Sequence, residues 1–170
     1  MEASIITEDS MNKEQYSIRA VGAMKTGRGT FQALIDEPHA EALKGLEDFS
    51  HVCILWWASK LDDEKTRSVT VCESPYKKGP SELGIFATRS PMRPNPICLS
   101  VCPVKKIDAA KGIVELWYAD TDDGTPVLDI KPYHPSADRV RDARTPGWCS
   151  HWPQCMEDSG SFNWQAEFNF

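Results

Sequence analysis

GIFATRSPMRPNPICLS, residues 84–100, and ADTDDGTPVLDIKPY, residues 119–133, carry most of the information in this chain. In the first, Pro91, Pro94 and Pro96 alternate with Arg89, Arg93 and Asn95. Each proline fixes its own φ, removes a backbone donor and steers the residue before it away from helix. The segment reads as a stiff, irregular loop that presents Arg89, Arg93 and Asn95 at set angles. Guanidinium forks held in this way suit a carboxylate or another anionic group. Ion pairing on a plain surface loop is the blander alternative. In the second stretch, Asp122-Asp123-Gly124-Thr125 has the composition of a turn, and a short strand is expected over 127–130.

Outward from these two islands the chain reads as a series of short strands. They are expected over 16–24, 30–35, 51–58, 68–73, 83–87, 97–106 and 112–118. One short helix is expected over 38–48. Pro38 suits its first turn, Asp36 or Glu37 its cap, and Ala42, Leu43, Leu46 and Phe49 fall on one face. Many short strands with one helix point to a mostly β protein, a single-domain β-barrel with a short helix and an irregular C-terminal tail. Residues 1–15 are polar and expected to be flexible, 16–135 form the barrel, and 136–170 form the tail. Trp148, Trp152, Trp164, Phe162, Phe168 and Phe170 are too costly to leave in water. The tail is therefore expected to pack on the barrel or on a partner subunit.

One domain is the default for 170 residues, and 41% hydrophobic with 26% charged residues is ordinary for a globular chain. The net charge of −6 argues against a nonspecific polyanion binder, so DNA is not an expected partner. The longest apolar run, residues 52–58, is far short of the ~20 residues that span a bilayer. MEASIITEDSMNKEQ (1–15) lacks the basic and apolar regions of a signal peptide. The expected location is cytoplasmic, with no membrane partner. Six cysteines without a C-x-x-C pair read as reduced thiols.

Among candidate chemical groups, Asp120, Asp122, Asp123 and Asp129 form an acidic cluster of the kind that suits Mg²⁺ or Ca²⁺. Its spacing does not fit an EF-hand loop. Asp122 and Asp123 read as turn residues, and Asp120 and Asp129, at strand ends, as better candidates for touching a ligand. Cys149, His151 and Cys155 have zinc-compatible chemistry but no evident fourth ligand, so no metal is expected. His51 reads as a structural histidine. P-loop, nucleophile-elbow, H-E-x-x-H and dinucleotide motifs are missing, as is the Gly-rich turn of a Rossmann-type methyltransferase.

GLEDFSHVCILWW (45–57), GIFATRSPMRPNPICLS (84–100) and DGTPVLDIKPY (123–133) resemble the TsaA-like family, which includes tRNA methyltransferase O. With the strands between them, the resemblance spans about 16–135. It implies a β-barrel enzyme that binds S-adenosyl-L-methionine as a homodimer, with the cofactor near the subunit interface. It also implies methylation of N6-threonylcarbamoyladenosine at position 37 of tRNA. By position, Arg89 matches a cofactor-contacting arginine and Leu99 a cofactor-lining residue. Trp117, Tyr118, Ala119 and Asp120 match a strand end that lies along the cofactor. Arg93 and Asn95 of the same stiff loop join that set. Ser59 and Lys60 stand where the family has a histidine-containing pair that touches the cofactor, and Cys98 stands where it has glycine. In the DIKPY segment, Asp129 and Tyr133 are candidates for a general base and Lys131 for positioning a substrate anion. Longer members are expected to hold tRNA with an N-terminal insertion and a further C-terminal domain.

The expected activity is therefore methyl transfer, with tRNA as the candidate acceptor. Two alternatives stand beside it. A small-molecule acceptor is favoured by the acidic balance, and a cofactor-binding domain without turnover by the Ser59-Lys60 and Cys98 departures.

Overall fold

The computed structural model describes residues 16–169; the flexible segment expected over 1–15 and Phe170 lie outside them. Among the described residues eight strands form: β1 (Gly22–Gly27), β2 (Thr30–Ile35), β3 (His51–Trp57), β4 (Val71–Glu73), β5 (Glu82–Gly84), β6 (Ile97–Asp108), β7 (Ile113–Leu116) and β8 (Pro126–Pro132). Six of them close into an antiparallel barrel in the ring order β1-β2-β7-β6-β3-β8. β8 returns to β1 through the pairs Gly22↔Val127 and Ala23↔Pro126. β4 and β5 form a separate two-stranded sheet.

Period-two burial drives this closure, because successive strand side chains point to opposite faces. Met24, Ala33, Ile35, Val52, Ile54, Cys102, Val114, Leu116 and Val127 turn inward and make the core. In a ring this small, side chains alone fill the interior. Leu43 and Leu46 plug it from the segment after β2. Burial pushes the Cys102 thiol up to about 12, so it behaves as an inert core hydrophobe.

The helix expected over 38–48 is shorter. It is a single turn, α1 (Glu37–Ala40), followed by a 3-10 turn, Glu41–Leu43. Pro38 starts it as expected. Gly45, at φ +86°, then turns the backbone out of helical space. Three further single-turn helices form: α2 (Glu64–Arg67), α3 (Pro135–Asp138) and α4 (Met156–Ser159). The strand expected over 83–87 stops at Gly84, and Ile85–Ala87 form a 3-10 turn that leads into the proline-rich loop.

Residues 147–169 pack on the Ser74–Ser81 connection of the β4–β5 hairpin. The Tyr76 ring stacks on Trp148 at 4.9 Å and meets Trp152 edge-on at 5.2 Å. Trp152, Trp164 and Phe168 extend the cluster. Tyr76 also bridges to Phe168 through the backbone, and Lys77 N donates to Glu167 O at 2.8 Å. Within this small core the Glu167 carboxylate is buried, with 7% of its side chain exposed. His151 Nε2 lies 3.0 Å from it, Trp152 Nε1 donates at 3.2 Å and Lys78 Nζ at 3.4 Å.

Two expectations follow. A Cβ on Gly22 would sit 2.1 Å from Leu34 O on the neighbouring strand. Gly22→Ala therefore forces β1 off β2 at the barrel seam and costs about 1–3 kcal/mol in denaturant unfolding. For the tail, the His151 contact, with Trp152 and Lys78, holds Glu167 down from 4.5 to about 2 against the opposing effect of burial. A lowered folded value means that this contribution is complete above about pH 4.5 and is lost as pH falls toward 2. Tryptophan emission should report release of the tail in that window, and Glu167→Gln should abolish the step.

Candidate functional site

The proline-rich loop lies against the C-terminal end of β3 and the start of β6. Pro96 O accepts from Ala58 N at 2.9 Å, which closes the loop onto the barrel. Here Trp56 pairs with Cys98 and Trp57 with Ile97. Residues 119–125, which lead into β8, complete a cavity of about 720 Å³ at this end of the barrel. That volume falls in the range of small-molecule sites, about 300–1,000 Å³.

Seven residues of the expected cofactor set line it: Ser59, Lys60, Arg89, Arg93, Leu99, Ala119 and Asp120. Arg89 and Leu99 are joined directly, since Arg89 Nη2 donates to Leu99 O at 2.7 Å. Arg93 Nη2 reaches Ile85 O at 3.5 Å and Thr88 O at 3.4 Å, and its guanidinium lies 5.9 Å from the Phe86 ring centre. Both guanidiniums thus bond neutral carbonyls, and neither has an ion-pair partner among the described residues. Lys60 instead pairs with Asp122 at 3.0 Å, both side chains being well exposed.

Trp117, Tyr118 and Asn95 do not line the cavity. Trp117 is 65% exposed and lies under Lys105 Nζ. Tyr118 packs on Phe31 at 5.5 Å, on the outside of the barrel. β7 ends at Leu116, so strict alternation stops there: Leu116 and Ala119 are buried while the two aromatics between them face out. Asn95 contributes its carbonyl to the loop, accepting from Ile97 N at 2.7 Å.

Asp129 and Lys131 lie farther along β8 and Tyr133 just past its end, away from this cavity. A β-bulge decides where they point. Val127 pairs with Trp56 but Asp129 pairs with Leu55, so Leu128 is the extra residue. Beyond the bulge the parity flips: Ile130 packs on the core and Asp129 and Lys131 turn outward. Lys131 Nζ meets Asp129 Oδ2 at 2.6 Å, and this bond raises the lysine pKa. Asp129 borders a second hollow of about 310 Å³ with His39, Lys44 and Phe49. Tyr133 N donates to His51 O, and the two rings lie 6.2 Å apart.

Several lining residues were not singled out from the sequence. Phe86 is 81% exposed at the mouth, and Trp56 Nε1 donates to Ser100 Oγ at 3.0 Å on the wall. Thr88, Thr121 and Thr125 also line it. Phe86 and Thr88 lie inside the GIFATRSP motif, where a signal was available. Asp123 fills its turn role: it accepts from Thr26 N at 2.9 Å, which holds its carboxyl below the usual value. Cys149, His151 and Cys155 serve separate contacts. Among the described residues no three His, Cys, Asp or Glu side chains are placed to hold a metal ion.

The donor set fits S-adenosyl-L-methionine. Asp120 makes no hydrogen bond or ion pair among the described residues and is free to accept from a ribose hydroxyl or an ammonium group. Thr121 Oγ1 is buried on the cavity wall without a partner among those residues. Arg89 offers a cation to a carboxylate, and Phe86 and Leu99 offer apolar surface to a base.

The model of the tRNA-methyltransferase O N-terminal domain matches residues 12–139. The chain is 37% identical over 134 residues to the tRNA (adenine(37)-N6)-methyltransferase of Escherichia coli (strain K12), covering 77% of this chain and 56% of that protein. It is 38% identical over 108 residues to an S-adenosyl-L-methionine-binding protein of Archaeoglobus fulgidus, covering 64% of this chain and 71% of that one. The crystal structure of TrmO from Pseudomonas aeruginosa superposes with a TM-score of 0.58 at 32% identity, over 77% of this chain and 62% of that one. The chain thus spans just over half the length of the E. coli relative. With three quarters of its residues matched and the barrel shared, the chain belongs to the tRNA-methyltransferase O N-terminal domain family.

Proposed function

We propose that this protein is an S-adenosyl-L-methionine-dependent methyltransferase whose acceptor is an adenine N6 of tRNA. The observation that carries the reading is the single cavity in which Arg89, Leu99, Ala119 and the unpaired Asp120 converge. When bound, the cofactor supplies an electrophilic methyl group on a sulfonium sulfur, so the protein's main task is proximity and orientation. Arg89 holds the carboxylate end and Asp120 accepts from ribose or ammonium. Phe86 and Leu99 shield the base, and Ser59 and Lys60 border the opening.

The working form is a homodimer. Phe86, Met92, Leu99, Trp117 and Tyr118 are large apolar side chains left exposed on or near the cavity end, and a second copy of the chain covers them. Asp129, Lys131 and Tyr133 lie away from the cavity of their own copy, so a role for them in transfer calls on the second copy. Asp129 or Tyr133 takes the proton of the acceptor nitrogen, and Lys131 steadies an anionic group on the acceptor. The protein acts in the cytoplasm. That location suits a tRNA substrate and free thiols, and among the described residues no helix is long and apolar enough to cross a membrane.

Calorimetric titration with S-adenosyl-L-methionine tests the site. Wild type binds in the micromolar range, and Arg89→Ala weakens binding about tenfold or more, as expected for the loss of a charge-assisted contact. Equal affinity in the two proteins would refute the assignment. Asp129→Ala should keep cofactor affinity yet lower transfer of labelled methyl to tRNA about 100-fold, the usual scale for a lost general base. Undiminished transfer would remove Asp129 from that role.

A further inference from the structure

The 147–169 segment lies outside the matched family region, and its packing bears on the cavity. Among the described residues β4 and β5 pair only with each other, and an isolated hairpin of two three-residue strands is marginal in water. Yet this hairpin hands the chain straight to the cavity wall. Ile85 N donates to Thr70 O at 2.8 Å, and Ile85 is 2% exposed. Thr88 Oγ1 and Arg93 Nη2 both donate to Ile85 O. Phe86 and Arg89, on the cavity, are therefore anchored through Ile85 to the end of the hairpin.

The opposite end of the hairpin is gripped by the 147–169 segment. Asn169 N donates to Pro75 O at 3.2 Å, and its Nδ2 donates to Ser74 O at 2.6 Å. Lys77 Nζ donates to Gln165 O at 2.8 Å. Tyr76 sits among Trp148, Trp152 and Phe168, and burial there raises its pKa. Glu167 joins the two parts twice: its backbone carbonyl takes Lys77 N, and its carboxylate takes Lys78 together with His151 and Trp152.

We infer that residues 147–169 strap the β4–β5 hairpin and thereby position the Phe86–Arg93 wall of the cavity, with Glu167 as the positioning residue at the centre of the strap. The inference rests on the proposed reading of that cavity as the S-adenosyl-L-methionine site. The side-chain hydrogen bonds and ion pairs of Glu167 go to Lys78, His151 and Trp152, none of which lines the cavity, so it acts through the hairpin. Its effect on affinity follows from populations. If only a fraction of molecules hold the wall in place, the apparent dissociation constant rises by the inverse of that fraction. The strap keeps the fraction near one.

The test uses the full chain with Glu167→Ala and Glu167→Gln, and two readouts. Amide hydrogen exchange over residues 82–93 reads the wall with no ligand present, and S-adenosyl-L-methionine titration reads the site. Glu167→Ala should speed exchange over 82–93 about tenfold, leave β3 and β6 protected, and raise the dissociation constant about tenfold. Glu167→Gln keeps the shape but loses the charge, so both readouts should fall between wild type and Glu167→Ala. Faster exchange over 82–93 with affinity unchanged would overturn the inference, leaving the tail as packing alone. Unchanged exchange would overturn it too. If Glu167→Ala does not fold, Asn169→Ala removes one exposed tie to Ser74 and should shift both readouts in the same direction. Failure of the wild type to bind refutes the cofactor reading, and the exchange measurement still decides whether the strap holds the wall.

Discussion

Closure of the barrel rests on a narrow seam. β1 and β8 share only two residue pairs, at Gly22 and Ala23. Val21 N donates to Val127 O, Met24 N to Thr125 O and Gly124 N to Met24 O, each at 2.8 Å. Glycine is required where the seam meets β2, because the Leu34 carbonyl occupies the space a Cβ would need. Closing the ring removes the edges that an open sheet would present to other chains. It also fixes the cavity. Thr125 belongs to both the seam and the cavity wall, so the residues from Ala119 to Thr125 are held at the barrel end by the bonds that shut it.

The stiff loop uses its arginines in two ways. Prolines at 91, 94 and 96 leave backbone carbonyls in an irregular path that no strand can satisfy. Arg93 takes two of these carbonyls, Ile85 O and Thr88 O, and so works first as a brace for the loop. Arg89 takes Leu99 O with one nitrogen. A guanidinium has five N–H donors, so the rest of its fork remains for a ligand. A loop braced by its own cations meets a ligand already ordered, and binding then loses little entropy in arranging it. Beside them, burial raises the Cys98 thiol pKa despite the two arginines, which keeps the thiol neutral.

Much of this was legible in the sequence because the barrel is built on alternation and the loop on proline. The strand expected over 30–35 matches β2, and that over 97–106 falls within β6. Ring order was not legible, since β3 pairs with β6 and β8 from far along the chain. Side-chain direction failed at two places for local reasons. Trp117 and Tyr118 belong to the right segment but face out, because β7 ends at Leu116 and alternation does not carry past it. In DIKPY the bulge at Leu128 reverses parity within one strand, and nothing in the residue types announces it. The aromatic tail was recognisable as something that must pack. Its docking surface, a hairpin read from sequence as two ordinary strands, was not.

That hairpin shows why a satellite core is needed at all. The barrel interior is filled by its own six strands and by Leu43 and Leu46, which leaves no groove to receive β4 and β5. Elements outside a closed ring must find apolar cover elsewhere or fray. Here Tyr76 supplies one ring and the 147–169 segment supplies the others. A buried carboxylate in such a cluster would be costly unless paired. Its three partners come from both sides, with His151 and Trp152 on the tail and Lys78 on the hairpin loop. An apolar residue at 167 could fill the volume but could not fix the relative position of the two parts, because apolar contacts are non-directional. The directional bonds of Glu167 define one docked geometry, and the cavity wall that begins at Ile85 inherits it.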